Sequence, residues 1–239
     1  MKVYFTSIRL RLFILMALIA LSGAARPAVA ADDLAKVLAK LDAASGKFKS
    51  AQAEITWENV QTEPIPDSDM QVGNVLFERK SGQLRMALHL RTENGKPIQK
   101  DMVYAEGLFK LYEPKIKQMQ VFKAGTNRAE ADTILTLGFG GSGKDLEKSW
   151  QVSLVGTEAV DGDETWKLQL IPREESVRKT FPKVLLWIDT DTGIALKQQS
   201  FDPTGNYRVV HYTKMRMNAS VPPGAFEIKT ASDTRIINH

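Results

Sequence analysis

No cysteine occurs among the 239 residues. Disulfides cannot staple this fold, and no N-terminal cysteine can carry a lipid anchor. Long apolar runs are missing too. Leu12 to Leu21 is almost unbroken but spans about ten residues, half of the ~20 that a membrane-crossing helix needs. Histidine is scarce, and His89, His211 and His239 have no His or Cys neighbour at ligand spacing, which argues against a metal centre. Nucleophile signatures such as G-x-S-x-G are absent. Paired carboxylates can come from distant parts of a chain, so they stay open, but nothing positive points to hydrolysis. No catalytic residue and no cofactor is assigned, and the expectation is a binding protein rather than an enzyme.

The N-terminus does carry an export pattern. Lys2, Arg9 and Arg11 make a basic start, Leu12 to Leu21 the apolar stretch, and Ala28-Val29-Ala30 a set of small residues for cleavage. Residues 1–30 are read as a signal peptide and 31–239 as one mature domain, expected to be soluble in the periplasm. Lys2, Arg9, Arg11 and Arg26 precede Ala31 and no acid does, which leaves 28 residues of each sign in the mature part. A formally neutral chain lacks the clustered basic excess that nucleic acid requires. Roughly 209 residues suffice for one domain with a substantial core.

Periodicity then separates a helix from a long series of strands. Asp32-Asp33 can cap a helix with Leu34, Val37, Leu38 and Leu41 on one face, ended by Gly46. Beyond it the period is two. Ala51, Ala53, Ile55 and Trp57 alternate with polar residues, as do Leu84, Met86, Leu88 and Leu90, interrupted only by Ala87. Further strands are expected near 71–79, 100–106, 108–113, 117–123, 151–157, 165–171, 183–189, 194–201 and 206–217. Turn residues such as Glu93-Asn94-Gly95 and Asp202 to Gly205 separate them. About eleven strands joined mostly by hairpins exclude a doubly wound parallel sheet. One interruption, 127–137, reads as helix, followed by a glycine-rich break and a short helical piece at 145–150. A strongly curved sheet covered by a few short helices either leaves a binding cavity or packs solid, and composition does not decide between them.

Two motifs are deceptive. Gly138, Gly143 and Lys144 match the spacing of a phosphate loop, but Asp145 stands where Ser or Thr would hold magnesium, and no strand precedes the loop. A glycine hinge between lid helices is the preferred reading. Asp189 to Gly193 hints at a calcium loop, yet Ser200 falls where a bidentate Glu belongs, which favours a tight turn.

The order of several loose motifs resembles the outer-membrane lipoprotein carrier family (LolA-like). Gly73 to Arg79 resembles its G-x-L-W-x-K-R-P strand, Gln83 to Met86 its R-F-R-W, and Gly107 to Pro114 its G-x-x-L-W-x-Y-x-P. Phe181 to Asp189, the D-x-x-G turn at Asp202 and Phe226 after Pro222-Pro223 follow in order. Lys80 departs from the family's proline, one extra residue precedes Gln83, and Leu84 and Met86 replace aromatics, which implies a less aromatic and wider cavity.

What the resemblance implies is an incomplete antiparallel β barrel with short helices as a lid over an apolar cavity. Acyl chains of lipoproteins would lie against Ile55, Trp57, Phe77, Leu84, Met86, Leu88, Met102, Phe109 and Leu111, and against Ile134, Leu135 and Leu137 of the lid. Arg79 corresponds to the family arginine that holds the lid by bonding to its backbone. The implied role is a monomeric periplasmic chaperone that takes lipoproteins from an inner-membrane release complex to an outer-membrane acceptor. The alternative is a sensor or regulatory domain, or a lipid carrier, of the same fold.

Overall fold

The computed structural model describes residues 27–123 and 137–239, with side chains from Asp33 onward. The leader expected over 1–30 lies outside the described residues apart from the backbone of 27–30. The lid helix expected over 127–137, with Ile134 and Leu135, lies outside them apart from Leu137.

Among the described residues, helix α1 (Pro27–Lys47) leads into twelve strands. They are β1 (Ser50–Gln61), β2 (Asp67–Lys80), β3 (Gln83–Glu93), β4 (Lys96–Ala105), β5 (Leu108–Glu113) and β6 (Gln118–Lys123). After α2 (Gly143–Ser149) come β7 (Trp150–Val160), β8 (Asp163–Pro172), the short α3 (Glu175–Thr180), β9 (Lys183–Asp189), β10 (Ala195–Phe201), β11 (Tyr207–Met217) and β12 (Arg235–Asn238). They form one open sheet in the order β12-β6-β5-β4-β3-β2-β1-β11-β10-β9-β8-β7. Every pairing is antiparallel except β12 with β6. The architecture is a mainly β, incomplete barrel with unjoined edges at β12 and β7. No helix among the described residues is long and apolar enough to cross a membrane.

Bulges bend this sheet. In β3 the register slips between Leu90 and Thr92 opposite Val72 and Gly73, and a Cβ at Gly73 would lie 2.0 Å from the His89 carbonyl oxygen. Only glycine lets the two backbones close there. The concave face collects Ala51, Ala53 and Ile55 of β1, Val75 and Phe77 of β2, Met86, Leu88 and Leu90 of β3, and Leu168 and Leu170 of β8 into one core with Val37 and Leu41 of α1.

Three expectations need correction. The helix expected from Asp32 begins at Pro27 and carries Gly46 in its last turn, because Ala28 to Ala31 offers the backbone no reason to leave the helix. Helix α3 is not evident from the sequence pattern. Neither is the twelfth strand, and its cause is tertiary. Residues 219–234 run as a strap over the convex face, with Phe226 4.0 Å beneath the Arg85 guanidinium, the Ala231 N–H donating to the Tyr112 hydroxyl at 3.3 Å and Lys117 paired to Asp233 at 2.5 Å. Ala87 and Val103 point outward as cross-strand partners and are nonetheless buried. The break in alternation at Ala87 thus reflects burial of this part of the convex face, whose other positions on β3 and β4 include Arg85, His89, Arg91 and Asp101.

Candidate functional site

Inward-facing residues of β1 to β5 bring most of the expected apolar positions together. Ile55, Phe77, Met86, Leu88 and Met102 are buried in the core, and Trp57, Leu84, Phe109 and Leu111 are half-buried against it. Leu137 is buried in the same cluster. The concave face is thus packed at the α1 end rather than hollow. A residue not singled out from sequence does much of the filling. Phe139 is fully buried, its ring stacked on Phe77 with centroids 4.0 Å apart and edge-on to Tyr212 at 4.8 Å. Burial raises the Tyr212 phenol well above its ordinary pKa, so it stays neutral.

The glycines around Phe139 answer to close packing. Gly140 has a φ of +75°, and a Cβ there would meet the Phe48 ring at 2.6 Å, while a Cβ on Gly138 would meet that of Ala195 at 2.4 Å. Gly138 also accepts from the Ala195 N–H at 3.1 Å, which ties the segment to β10. At the start of α2, the Ser142 hydroxyl accepts from the Asp145 N–H at 3.0 Å. The helix end that a phosphate would need is therefore already capped. The Asp189 turn is similarly self-contained, its carboxylate accepting from the Thr192 N–H and hydroxyl, both at 2.6 Å.

Arg79 closes this end. Its guanidinium donates to the Ser45 carbonyl at 2.6 Å, to the Ser45 hydroxyl at 3.2 Å and to the Gly140 carbonyl. Ser45 itself donates to that same Gly140 carbonyl at 2.6 Å. One cation thus joins β2, the C-terminus of α1 and the segment bearing Phe139, using the planar fork that a lysine lacks. Beside it opens a cavity of about 250 Å³ lined by Leu41, Leu84, Leu137, Leu186 and Leu146 among others.

At the opposite end the inward-facing series turns polar. Asn59 of β1 accepts from the Trp57 indole at 3.0 Å and from the Arg208 guanidinium at 2.8 Å, and donates to Asp69 at 2.9 Å. Buried Gln71 donates to Glu93 at 2.6 Å. Sequence inspection misses this network, because its members lie on four strands and meet only through register. On the convex side, burial opposes ionisation of Asp101. Hydrogen bonds from Gln99, His89 and Arg91, with the Arg91 charge, outweigh it and hold the carboxyl below its usual range.

Comparison with known proteins adds the following. A family model described as an uncharacterized protein matches residues 111–232, just over half of the chain. No curated protein matches. An uncharacterized conserved protein from Thermus thermophilus superposes with a TM-score of 0.54 at 11% identity, over 87% of this chain and 99% of that one. MucB, a protein known from Pseudomonas aeruginosa, superposes with a TM-score of 0.51 at 17% identity, over 86% of this chain and 66% of its own. The chain therefore spans just under two thirds of MucB. Both likenesses are likenesses of fold. A LolA superfamily protein from Nitrosomonas europaea also matches, at 14% identity over 82% of this chain and 97% of that one. Its TM-score of 0.40 is too low to bear weight.

Proposed function

This chain belongs to the uncharacterized family matched over residues 111–232, and we propose that it is a LolA-like periplasmic carrier that shields the acyl chains of lipoproteins on their way to the outer membrane. The observation that carries this reading is the Arg79 closure. A single guanidinium holds the segment bearing an aromatic plug, Phe139, in the packed apolar face of an open sheet, and it grips two backbone oxygens.

Magnitudes favour a reversible exchange. Charged hydrogen bonds of this kind contribute about 1.5–3 kcal/mol. Burial of a phenylalanine contributes a similar amount, and a stacked ring pair about 0.5–1.5 kcal/mol more. Sequestering one acyl chain of ~16 carbons is worth on the order of 10 kcal/mol at ~0.8 per CH₂. The chain can therefore displace the plug, and the plug's return recovers part of that free energy and eases release. The leader, the lipoprotein cargo and the membrane partners that load and accept it belong to this proposal.

The test is native mass spectrometry of the protein isolated from periplasm without detergent. A carrier brings down acylated lipoprotein or lipid; a domain that only senses or binds proteins brings down none.

A further inference from the structure

The polar end of the concave face is ordered in a way that the closure at Arg79 does not require. In register, Ser200 of β10 faces Arg208 of β11, Arg208 faces Asn59 of β1, and Asn59 faces Asp69 of β2. One step along, Gln71 faces Glu93 of β3. Lys100 of β4 pairs with Glu113 of β5 at 3.7 Å. Four of these residues continue an inward-facing apolar series: Ile55 and Trp57 before Asn59, Tyr212 and Val210 before Arg208, Met102 before Lys100, Leu111 before Glu113. The inward face thus turns polar toward this end of the strands, and at β1, β2, β10 and β11 a cavity of about 320 Å³ opens against Asn59, Asp67, Asp69, Ser200, Arg208 and Phe181, with Gln71, Glu93, Lys100 and Glu113 outside its lining. That volume lies within the range of small-ligand sites.

We propose that this rim is a head-group subsite that takes the vicinal hydroxyls of an uncharged glycerol or sugar head, with the attached acyl chain lying along the apolar part of the same strands. The inference rests on the carrier reading of the apolar face and goes beyond lipoprotein, whose glycerol hydroxyls are esterified, to a second cargo class. Charge selects the class. Among the described residues the cavity is lined by Asp67, Asp69 and Asp202 against Arg208, with the Lys183 ammonium 4.1 Å over the Phe201 ring at its edge. Lys100 is spent on Glu113, and Arg208 is held between Asn59 and the Trp57 ring, 4.6 Å from its centroid. An incoming phosphate or carboxylate meets net negative charge. A hydroxyl instead donates to Asp69 or Asp67 while accepting from Arg208.

The test is displacement of a bound fluorescent 16-carbon fatty acid from the whole protein by 1-monopalmitoylglycerol, hexadecyl glucoside and lysophosphatidic acid of equal chain length. The expected result is that one or both hydroxylated lipids displace at least tenfold better than the phosphate; which of them does so separates glycerol from sugar. Asn59→Leu and Asp69→Asn each reduce that preference to less than threefold. Equal displacement by all three lipids on the parent overturns the subsite and leaves the carrier reading intact, as does a preference undiminished in either folded variant. A parent that binds no fluorescent fatty acid at all overturns both.

Discussion

The Phe139 ring lies on that of Phe77, 4.0 Å between centroids and 11° from parallel. Phe77 is fixed to a long central strand, whereas Phe139 sits between two glycines and is held from outside by Arg79 through Gly140. The carrier reading makes Phe77 the fixed wall and Phe139 the plug that cargo displaces. Replacing Phe139 with Ala should cost about 3–5 kcal/mol of stability in urea unfolding, as for other large aromatic truncations. The same change should increase affinity for a 16-carbon fatty acid, because the plug no longer competes. Lost stability with unchanged affinity would reduce Phe139 to a core residue.

Arg79→Leu should leave the fold intact, lower stability by about 1.5–3 kcal/mol and shift the Phe139 segment toward release. Arg79→Lys should recover little, since an ammonium cannot span Ser45 and Gly140 as a fork does. The readout is transfer of bound lipoprotein to acceptor membranes. Arg79→Leu is expected to retain cargo that the parent hands on, and unchanged transfer would remove the latch while sparing the apolar site.

Much of the fold is legible in the sequence, and the exceptions have physical reasons. Alternation over β1 and β3 exposes their wet and dry faces directly, because one-sided burial imprints a period of two. The strap does not show this way: β12 has four residues, and its parallel partner lies more than a hundred positions earlier. Phe139 is masked by its glycines, which read as a hinge until their contacts with Phe48 and Ala195 are seen. Asn59, Asp69, Gln71, Glu93 and Arg208 each look like ordinary strand-end polar residues, and only cross-strand register joins them.

Gly73→Ala tests the bulge. A methyl at Gly73 lies 2.0 Å from the His89 carbonyl oxygen, a backbone atom that cannot swing aside. The two strands must separate, and a loss of several kcal/mol is expected. Thermal unfolding of Gly73→Ala beside Gly82→Ala, where a Cβ meets nothing within 4 Å but φ is +77°, separates the clash from ordinary glycine strain. Equal losses would remove the close approach as the cause.

Asp101 predicts a pH dependence. Its folded pKa is depressed below the ordinary value by Gln99, His89 and Arg91 despite burial. Its contribution is therefore fully present above the unfolded carboxylate pKa of ~3.9 and lost as pH falls through the lower folded value. Asp101→Asn should lower stability at pH 7 by about 1–3 kcal/mol, the scale of charged hydrogen bonds to a buried group. It should also flatten the decline between roughly pH 5 and pH 2. Parallel denaturation curves for parent and variant across that range would contradict the assignment.

Binding of an acyl chain to the apolar face is the claim on which the rest depends, and titration of the protein with a fluorescent 16-carbon fatty acid, alongside Met86→Glu, measures it. Met86 is buried on β3 beside Phe77, its cross-strand partner, and a carboxylate there lacks any partner in an apolar setting, which costs several kcal/mol or forces the site open. The account predicts saturable binding by the parent and little or none by a folded Met86→Glu protein. No saturable binding by the parent, or equal binding by Met86→Glu at equal stability, would contradict it.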